Sequence, residues 1–231
     1  MNLFYSNFNK SDSDIILDEI DSKHLSKSLR KKVGDIIRIT NGNGLEIKGK
    51  IIRLGKNIKV NVINRVKHKK KDLLIHIAMS PLKNQSRFEW FVEKSTEIGI
   101  SEITPLITKF SEKKKVNVSR LNKIVISSMK QSNQFYLPKV NQITSFDEFL
   151  KLNKDYKFIA HLKNNNRFNK KSIGNKDKIV VMIGPEGGFS KEEILKANKE
   201  KIKEISFGKN RFRSETAGVF AVSIINNYKN L

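Results

Sequence analysis

The chain contains no cysteine, which excludes disulfide bonds and thiolate metal sites. Long apolar runs are also missing, since no segment approaches the roughly 18 consecutive apolar residues that a membrane-spanning helix needs. The first 20 residues carry acidic side chains where a secretory signal would have an apolar core. These absences predict a cytoplasmic protein that does not associate with membranes.

Acidic residues are scarce relative to basic ones, and this imbalance gives the first indication of function. Among 231 residues, 46 are lysine or arginine and 23 are aspartate or glutamate, so the formal net charge is +23. Such an excess indicates a polyanionic partner, and nucleic acid is the usual one. The alternative is a drift in composition towards lysine, asparagine and isoleucine that serves no binding. The basic residues are spread along the chain, which argues against a membrane-surface helix.

The hydrophobic pattern changes near residue 70. Before it lie short strand-like segments, such as "DIIRIT" (35–40) and "LEIKGKIIRL" (45–54), which are joined by the turn sequence "NGNG" (41–44). After it, apolar strands alternate with amphipathic helices, as in a parallel sheet covered on both faces. The sequence therefore predicts an α/β protein with two domains: a small β-barrel at residues 1–70 and a larger α/β domain at residues 71–231.

A glycine-rich turn follows one of the apolar strands, in "VMIGPEGGFSKEEI" (181–194). Open α/β sheets bind ligands at the carboxyl ends of their strands. We expect Gly187 and Gly188 to adopt positive φ and to let a ligand approach the backbone. Ser190 and Glu193 have the spacing of a capping box that opens a helix. The glycine spacing fits neither a Walker loop nor a dinucleotide fingerprint. The alternative is a plain strand-to-helix turn that binds nothing.

A second unusual segment, "FGKNRFRSETAG" (207–218), also follows a strand. Arg211 and Arg213 precede Ser214 and Glu215, which open the last helix. Two arginines beside a neighbouring strand end would line the same crevice, where a guanidinium group suits an anionic oxygen. The alternative is a basic loop with a helix cap.

Together these segments resemble a known family. "IGPEGGFSKEE" (183–193) and "ISFGKNRFRSETA" (205–217) look like the paired signature of the RsmE family, within the SPOUT superfamily of S-adenosylmethionine-dependent RNA methyltransferases. "KSTEIGISEITPL" (94–106), "QSNQFYLPKV" (131–140) and "HLSKSLRKKVGDIIRITNGNG" (24–44) resemble further family segments. The chain departs from the pattern at Lys130, where the family often has an acid, and at Gln134, where it has an arginine.

The resemblance implies a PUA-like β-barrel that binds RNA, followed by an α/β domain whose chain forms a deep trefoil knot. It also implies a homodimer with S-adenosylmethionine pockets in the knot. The implied reaction is methylation of N3 of one uridine in the decoding region of 16S ribosomal RNA, within the small ribosomal subunit.

The resemblance further implies that the cofactor lies among three loops. Their residues are His161 and Leu162 in the first loop, Ile183, Gly184, Pro185, Glu186, Gly187 and Gly188 in the second, and Phe207, Gly208, Arg211, Phe212 and Arg213 in the third.

Four of the site residues are candidates for catalysis. Arg211 and Arg213 would stabilise negative charge on the uracil, and Glu186 or Glu215 would serve as general base. For Glu186 the alternative role is fixing the turn, and for Glu215 it is helix capping. Histidine and acidic residues do not cluster with metal-ligand spacing, so no metal is expected.

Two other functions remain open from the sequence. One is an RNA-binding ribosome assembly factor without activity, and the other is a SPOUT enzyme that methylates a ribose 2′-hydroxyl.

Overall fold

The computed structural model describes residues 3–152, 156–161 and 166–230. The chain divides into two compact units. The first, here called the β-unit, comprises residues 1–70 and 126–137, and the second, the α/β unit, comprises residues 71–125 and 138–231. Within the described residues, no helix is long and apolar enough to cross a membrane.

The β-unit contains five short strands and a short helix: β1 (Leu3–Tyr5), β2 (Asp14–Ile16), α1 (Glu19–Lys23), β3 (Ile36–Thr40), β4 (Leu45–Arg53) and β5 (Lys59–Lys67). A π-helical segment, His24–Ser28, follows α1. The strands form one sheet with the order β1-β3-β4-β5-β2. Of its four strand pairs, β1–β3 is parallel and the other three are antiparallel.

The predicted hairpin between β3 and β4 is confirmed. The two strands pair in antiparallel register from Ile36 with Lys50 to Thr40 with Glu46. The turn between them has Gly42 and Gly44 at φ +70° and +79°, which is the left-handed region that glycine enters without steric cost.

Residues 126–137 belong to the β-unit, which the sequence did not indicate. The Gly44 N–H donates to the Phe135 carbonyl at 2.7 Å, and the Leu137 N–H donates to the Gly42 carbonyl at 2.7 Å. The His68 ring stacks on Phe135 with a centroid distance of 3.5 Å. The end of a long helix and the residues after it therefore complete the β-unit.

The elements of the α/β unit are β6 (Leu74–Met79), α2 (Gln85–Ile98), β7 (Glu102–Ile107), α3 (Val118–Gln131), β8 (Lys139–Val140), β9 (Thr144–Ser145), α4 (Phe146–Lys151), β10 (Tyr156–Ala160), α5 (Lys170–Ile173), β11 (Lys178–Ile183), α6 (Lys191–Lys199), β12 (Lys203–Ile205) and α7 (Ser214–Asn230). The strands form a parallel sheet with the order β12-β10-β11-β6-β7-β8, and β9 also pairs with β7. The first residues of α3 belong to this unit and its last residues to the β-unit.

The predicted α/β class, with a smaller β-unit at the N-terminus, is confirmed by these two sheets. Strand β11 is central, and its residues from Ile179 to Ile183 are all buried. This burial on both faces explains why the segment reads as continuously apolar instead of alternating. The trefoil knot implied by the resemblance stays a prediction.

Candidate functional site

Three adjacent strands bring the predicted loops to one edge of the sheet. Strands β12, β10 and β11 are neighbours and run parallel, so their carboxyl ends meet at the same edge. The His161 N–H donates to the Ile205 carbonyl at 2.8 Å, which joins the first loop to the end of β12. Leu162 lies outside the described residues.

The turn after β11 is closed by its own backbone. The Gly188 N–H donates to the Pro185 carbonyl at 2.8 Å, and Gly188 has φ +72°, as predicted. A Cβ on Gly184 would lie 2.8 Å from the Gly188 carbonyl carbon. Glycine is therefore required at both ends of the turn. Gly188 is required because of its positive φ, and Gly184 because a side chain there would clash with Gly188.

Gly187 does not behave as predicted. Its φ is outside the positive region that Gly188 occupies. The constraint on Gly187 is space instead, because a Cβ there would lie 3.2 Å from the Cβ of Phe110. Phe110 belongs to the loop after β7, and no local sequence pattern indicated that this loop would approach the glycine turn.

The predicted capping box at the start of α6 is confirmed, and it has an additional role. The Ser190 N–H donates to Glu193 Oε2 at 2.8 Å, and the Glu193 N–H donates to Ser190 Oγ at 3.2 Å. The other carboxylate oxygen, Oε1, accepts from the Lys109 N–H at 2.8 Å. The buried Glu193 side chain thus fixes the glycine turn against the loop after β7.

In the third loop, two exposed arginines alternate with anchored aromatic rings. Arg211 and Arg213 are exposed, whereas the rings of Phe207 and Phe212 lie 5.7 Å and 5.2 Å from the ring of Phe220 in α7. The packed rings hold the loop on the helix. Both arginines remain exposed, and neither packs in the core.

Arg211 makes the direct contact between the second and third loops. Its Nη2 donates to the backbone carbonyl of Glu186 at 3.5 Å. The carbonyl of Arg213, by contrast, accepts from the Ala217 N–H at 2.8 Å, which begins the hydrogen bonding of α7. The two arginines therefore differ in their surroundings, although they are only two residues apart.

The two candidate carboxylates also differ. Glu186 is exposed in the glycine turn. Glu215 is buried, and its Oε1 lies 3.7 Å from Nε of Arg87 in α2. The sequence did not indicate Arg87 as a partner of Glu215, because an arginine in an amphipathic helix is usually exposed to solvent. The ion pair and the burial favour a structural role for Glu215 and leave Glu186 as the accessible carboxylate.

Two glycines in these loops leave open space beside the backbone. Gly188 and Gly208 both have positive φ, and no heavy atom lies within 4 Å of where a Cβ would stand at either position. A ligand can therefore approach the backbone amides and carbonyls there, which suits the polar edges of adenine and ribose. Among the described residues, no group of three histidine, aspartate or glutamate side chains is placed to hold a metal ion.

Two family models match the chain in order. A model described as an RNA methyltransferase PUA domain matches residues 17–63, and one described as an RNA methyltransferase domain matches residues 69–226. The second match covers more than half of the chain. The PUA-like character predicted for the N-terminal strands is confirmed by the first match.

Individual relatives agree with these models. The chain is 33% identical to ribosomal RNA small subunit methyltransferase E of Rickettsia conorii, over 84% of this chain and 82% of that protein. It is 31% identical to the protein of the same name from Mesomycoplasma hyopneumoniae, over 75% and 79% of the two chains. The crystal structure of ribosomal RNA small subunit methyltransferase E from Neisseria gonorrhoeae, bound to S-adenosyl methionine, superposes with a TM-score of 0.88 at 25% identity and covers 98% and 97% of the two chains.

Proposed function

Because the chain belongs to the RNA methyltransferase family that includes ribosomal RNA small subunit methyltransferase E, we propose that it methylates small-subunit ribosomal RNA with S-adenosylmethionine as methyl donor. The observation that carries this proposal is the meeting of the three loops at the carboxyl ends of β10, β11 and β12. A family relative from Neisseria gonorrhoeae has the same fold and binds S-adenosyl methionine.

When bound, S-adenosylmethionine supplies a methyl group on a positively charged sulfur. The chain's own contribution is to bind and orient the two reactants. We assign cofactor binding to the backbone of Ile183 to Gly188, to Phe207 and Gly208, and to the first loop at His161. Gly184 and Gly188 let that backbone form a closed turn. In this assignment the exposed arginines of the third loop supply positive charge to the site.

The proposed target atom is N3 of a uridine in the decoding region of 16S ribosomal RNA. N3 carries a proton and becomes a nucleophile only when that proton leaves. The N3–C bond then forms as the methyl–sulfur bond breaks. We propose that the exposed Glu186 accepts the proton and passes it to water. Arg213 would stabilise the negative charge that spreads over O2 and O4 of the uracil.

The two units divide the work in this proposal. The β-unit binds RNA, and the α/β unit transfers the methyl group. The net charge of +23 supports binding to an RNA backbone, in the cytoplasm where ribosomal subunits are assembled. If the charge serves this purpose, affinity for the subunit falls steeply as the salt concentration rises, because bound counterions are released on association. If the affinity does not depend on salt, the positive charge is better explained by a drift in amino-acid composition that serves no binding.

Product analysis tests the function. The purified protein is incubated with S-adenosylmethionine and small subunits from a strain that lacks the gene, and the digested nucleosides are analysed by mass spectrometry. We expect about one 3-methyluridine per subunit, which is absent without the protein. A ribose-methylated nucleoside would refute N3 methylation. Cofactor binding without any methylated product, on subunits or on free ribosomal RNA, would refute catalysis.

We also propose that the protein acts as a homodimer. Trp90 in α2 is 41% exposed, and a large exposed aromatic side chain is typical of the centre of a protein interface. Trp90→Glu should convert a dimer to a monomer in size-exclusion chromatography with light scattering. Leu195→Glu is a matched control, because Leu195 is 61% exposed on α6. A monomeric wild-type protein would contradict the proposal.

A further inference from the structure

An exposed aromatic residue stands beside the glycine turn. Phe110 is 47% exposed, and its Cβ is the atom that a Cβ on Gly187 would meet at 3.2 Å. Exposing a phenylalanine ring to water is unfavourable by itself, since removing apolar surface from water stabilises a protein. Its position next to the proposed site therefore requires an explanation.

The backbone on both sides of Phe110 is firmly held. Thr108 and Ser111 are buried, and Ser111 Oγ lies 2.5 Å from Oγ of the buried Ser80. The Thr108 N–H donates to Ser111 Oγ at 2.8 Å. The intervening Lys109 N–H donates to Glu193, as described above. The ring thus projects from a fixed loop, so little conformational entropy would be lost if a ligand packed against it.

The position of Phe110 in the sheet separates it from the proposed cofactor loops. Those loops follow β10, β11 and β12, which are neighbours. Phe110 follows β7, which lies on the other side of β11 with β6 between them. The ring therefore approaches the glycine turn from the side away from β10 and β12. A ligand that contacts Phe110 is expected to be the second reactant and not the cofactor.

The same loop carries positive charge. Lys109, Lys114 and Lys115 are exposed, and Lys109 Nζ pairs with Glu192 Oε2 at 3.0 Å. An aromatic ring next to exposed lysines is the combination with which proteins bind single-stranded nucleic acid, with bases stacked on rings and phosphates near cations. A docking site for a protein segment would not require this density of positive charge.

We propose that Phe110 is a stacking platform for an unpaired base of the substrate RNA, and that Lys114 and Lys115 contact the adjacent phosphates. This proposal rests on the proposed function and adds a contact on the α/β unit that determines how the RNA is placed at the glycine turn. Phe110 lies beside Gly187 in the glycine turn, where the target uridine is proposed to react. The stacked base is therefore either the target uridine itself or the nucleotide next to it.

Substitutions that separate stacking from apolar packing test the proposal. Phe110→Ala should raise KM for the small subunit roughly 5- to 100-fold, the range expected for losing one stacked base. Phe110→Tyr should behave like the wild type, and Phe110→Leu should lie close to Phe110→Ala. The affinity for S-adenosylmethionine without RNA, measured by calorimetry, should be unchanged in all three variants. An equal loss of cofactor affinity in Phe110→Ala would overturn the proposal, because the ring would then support the turn or contact the cofactor.

A fluorescence measurement tests stacking independently of catalysis. The chain has one tryptophan, so Phe110→Trp combined with Trp90→Phe places the only indole at position 110. A single-stranded oligoribonucleotide should quench its emission. No quenching at RNA concentrations that saturate binding would refute the stacking contact, even if the protein proves to be an active methyltransferase. Quenching without methylation would leave the contact standing and refute only the proposed function.

The lysines have their own matched control. Lys114→Gln combined with Lys115→Gln should reduce the slope of log affinity against log salt by about 2, one for each lost phosphate contact. Lys199→Gln combined with Lys201→Gln removes the same charge from two exposed positions, one at the C-terminal end of α6 and one just after it, and should leave the slope unchanged. Equal slopes for the two double variants would contradict a phosphate contact in this loop.

Discussion

Nη2 of Arg211 donates to the backbone carbonyl of Glu186 at 3.5 Å, and this hydrogen bond joins the loop after β12 to the turn after β11. At that distance the bond is long and weak, so a ligand that offers a better acceptor can replace it. Arg213, two residues later, is exposed and takes part in no such contact between the loops through its side chain in the described structure. This difference indicates that Arg211 holds the loops or the cofactor and that Arg213 is available for the reaction.

This difference predicts separate effects for the two arginines. Arg211→Ala should weaken S-adenosylmethionine or RNA binding with a smaller effect on kcat. Arg213→Lys keeps the charge but loses the planar, bidentate guanidinium group, so kcat should fall by roughly 10²-fold while KM changes little. Steady-state kinetics with small subunits, together with calorimetry for the cofactor, measures both. If Arg213→Lys changes only KM, Arg213 is a binding residue and does not stabilise the reacting uracil.

The glycine turn gives a second prediction. Gly188→Val forces a β-branched residue to φ +72° and fills open space beside the backbone, so affinity for S-adenosylmethionine should fall about 10-fold or more. Gly174→Val is the matched control, because Gly174 has φ +55° and also has no heavy atom within 4 Å of a Cβ, but it lies outside the three loops. An equal loss of cofactor affinity in both variants would show that backbone strain alone is responsible.

Several features of both units were predictable because the information that determines them is local. Helix α2 ends at Gly99, which is its left-handed C-cap at φ 106°, and a glycine directly after an amphipathic segment predicts such an end. The capping box of α6 and the hairpin at Gly42 and Gly44 likewise depend on residues a few positions apart. Such features are determined by short-range sterics and hydrogen bonds, which a sequence displays directly.

The unpredicted features all depend on residues far apart in the sequence. The ion pair between Arg87 and Glu215 arises because α2 packs against α7. The lack of space for a side chain at Gly187 is caused by Phe110, which lies in the loop after a different strand, β7. Residue propensity and hydrophobic periodicity do not predict such long-range contacts. A side chain on the polar face of its own helix acquires a partner only when the helix packs against another element.

A third prediction concerns the stability of the β-unit. Burial by itself raises the pKa of the Glu46 carboxyl, but hydrogen bonds from Arg38 and His68 outweigh it, so that the pKa lies below its ordinary value. A carboxylate whose pKa is lowered by folding contributes stability above its unfolded pKa, and this contribution is lost as the pH falls through the folded pKa. The melting temperature should therefore decrease as the pH is lowered through the acidic range.

Glu46→Gln should reduce the free energy of unfolding near neutral pH by about 1.5–3 kcal/mol, the usual contribution of a hydrogen bond to a charged group. It should also flatten the acid dependence. Asp14→Asn is a suitable comparison, because the Asp14–Lys59 pair at 2.8 Å lies in the same unit but is about one-third exposed, and surface pairs contribute little. Melting curves between about pH 3 and pH 7 measure both variants. A parallel acid dependence in wild type and Glu46→Gln would contradict the assignment.

The fourth prediction distinguishes the two candidate bases. Glu186 is exposed in the turn, whereas Glu215 is buried beside Arg87. If Glu186 accepts the N3 proton, Glu186→Gln should slow single-turnover methylation by roughly 10²–10⁴-fold. Raising the pH should restore part of that rate, because uridine then ionises without help. Glu215→Gln should lower the melting temperature, and its residual rate should show no such rescue at high pH. If neither variant is slower than the wild type, no carboxylate acts as base, and the charges of Arg211 and Arg213 alone must lower the pKa of the uridine N3 proton.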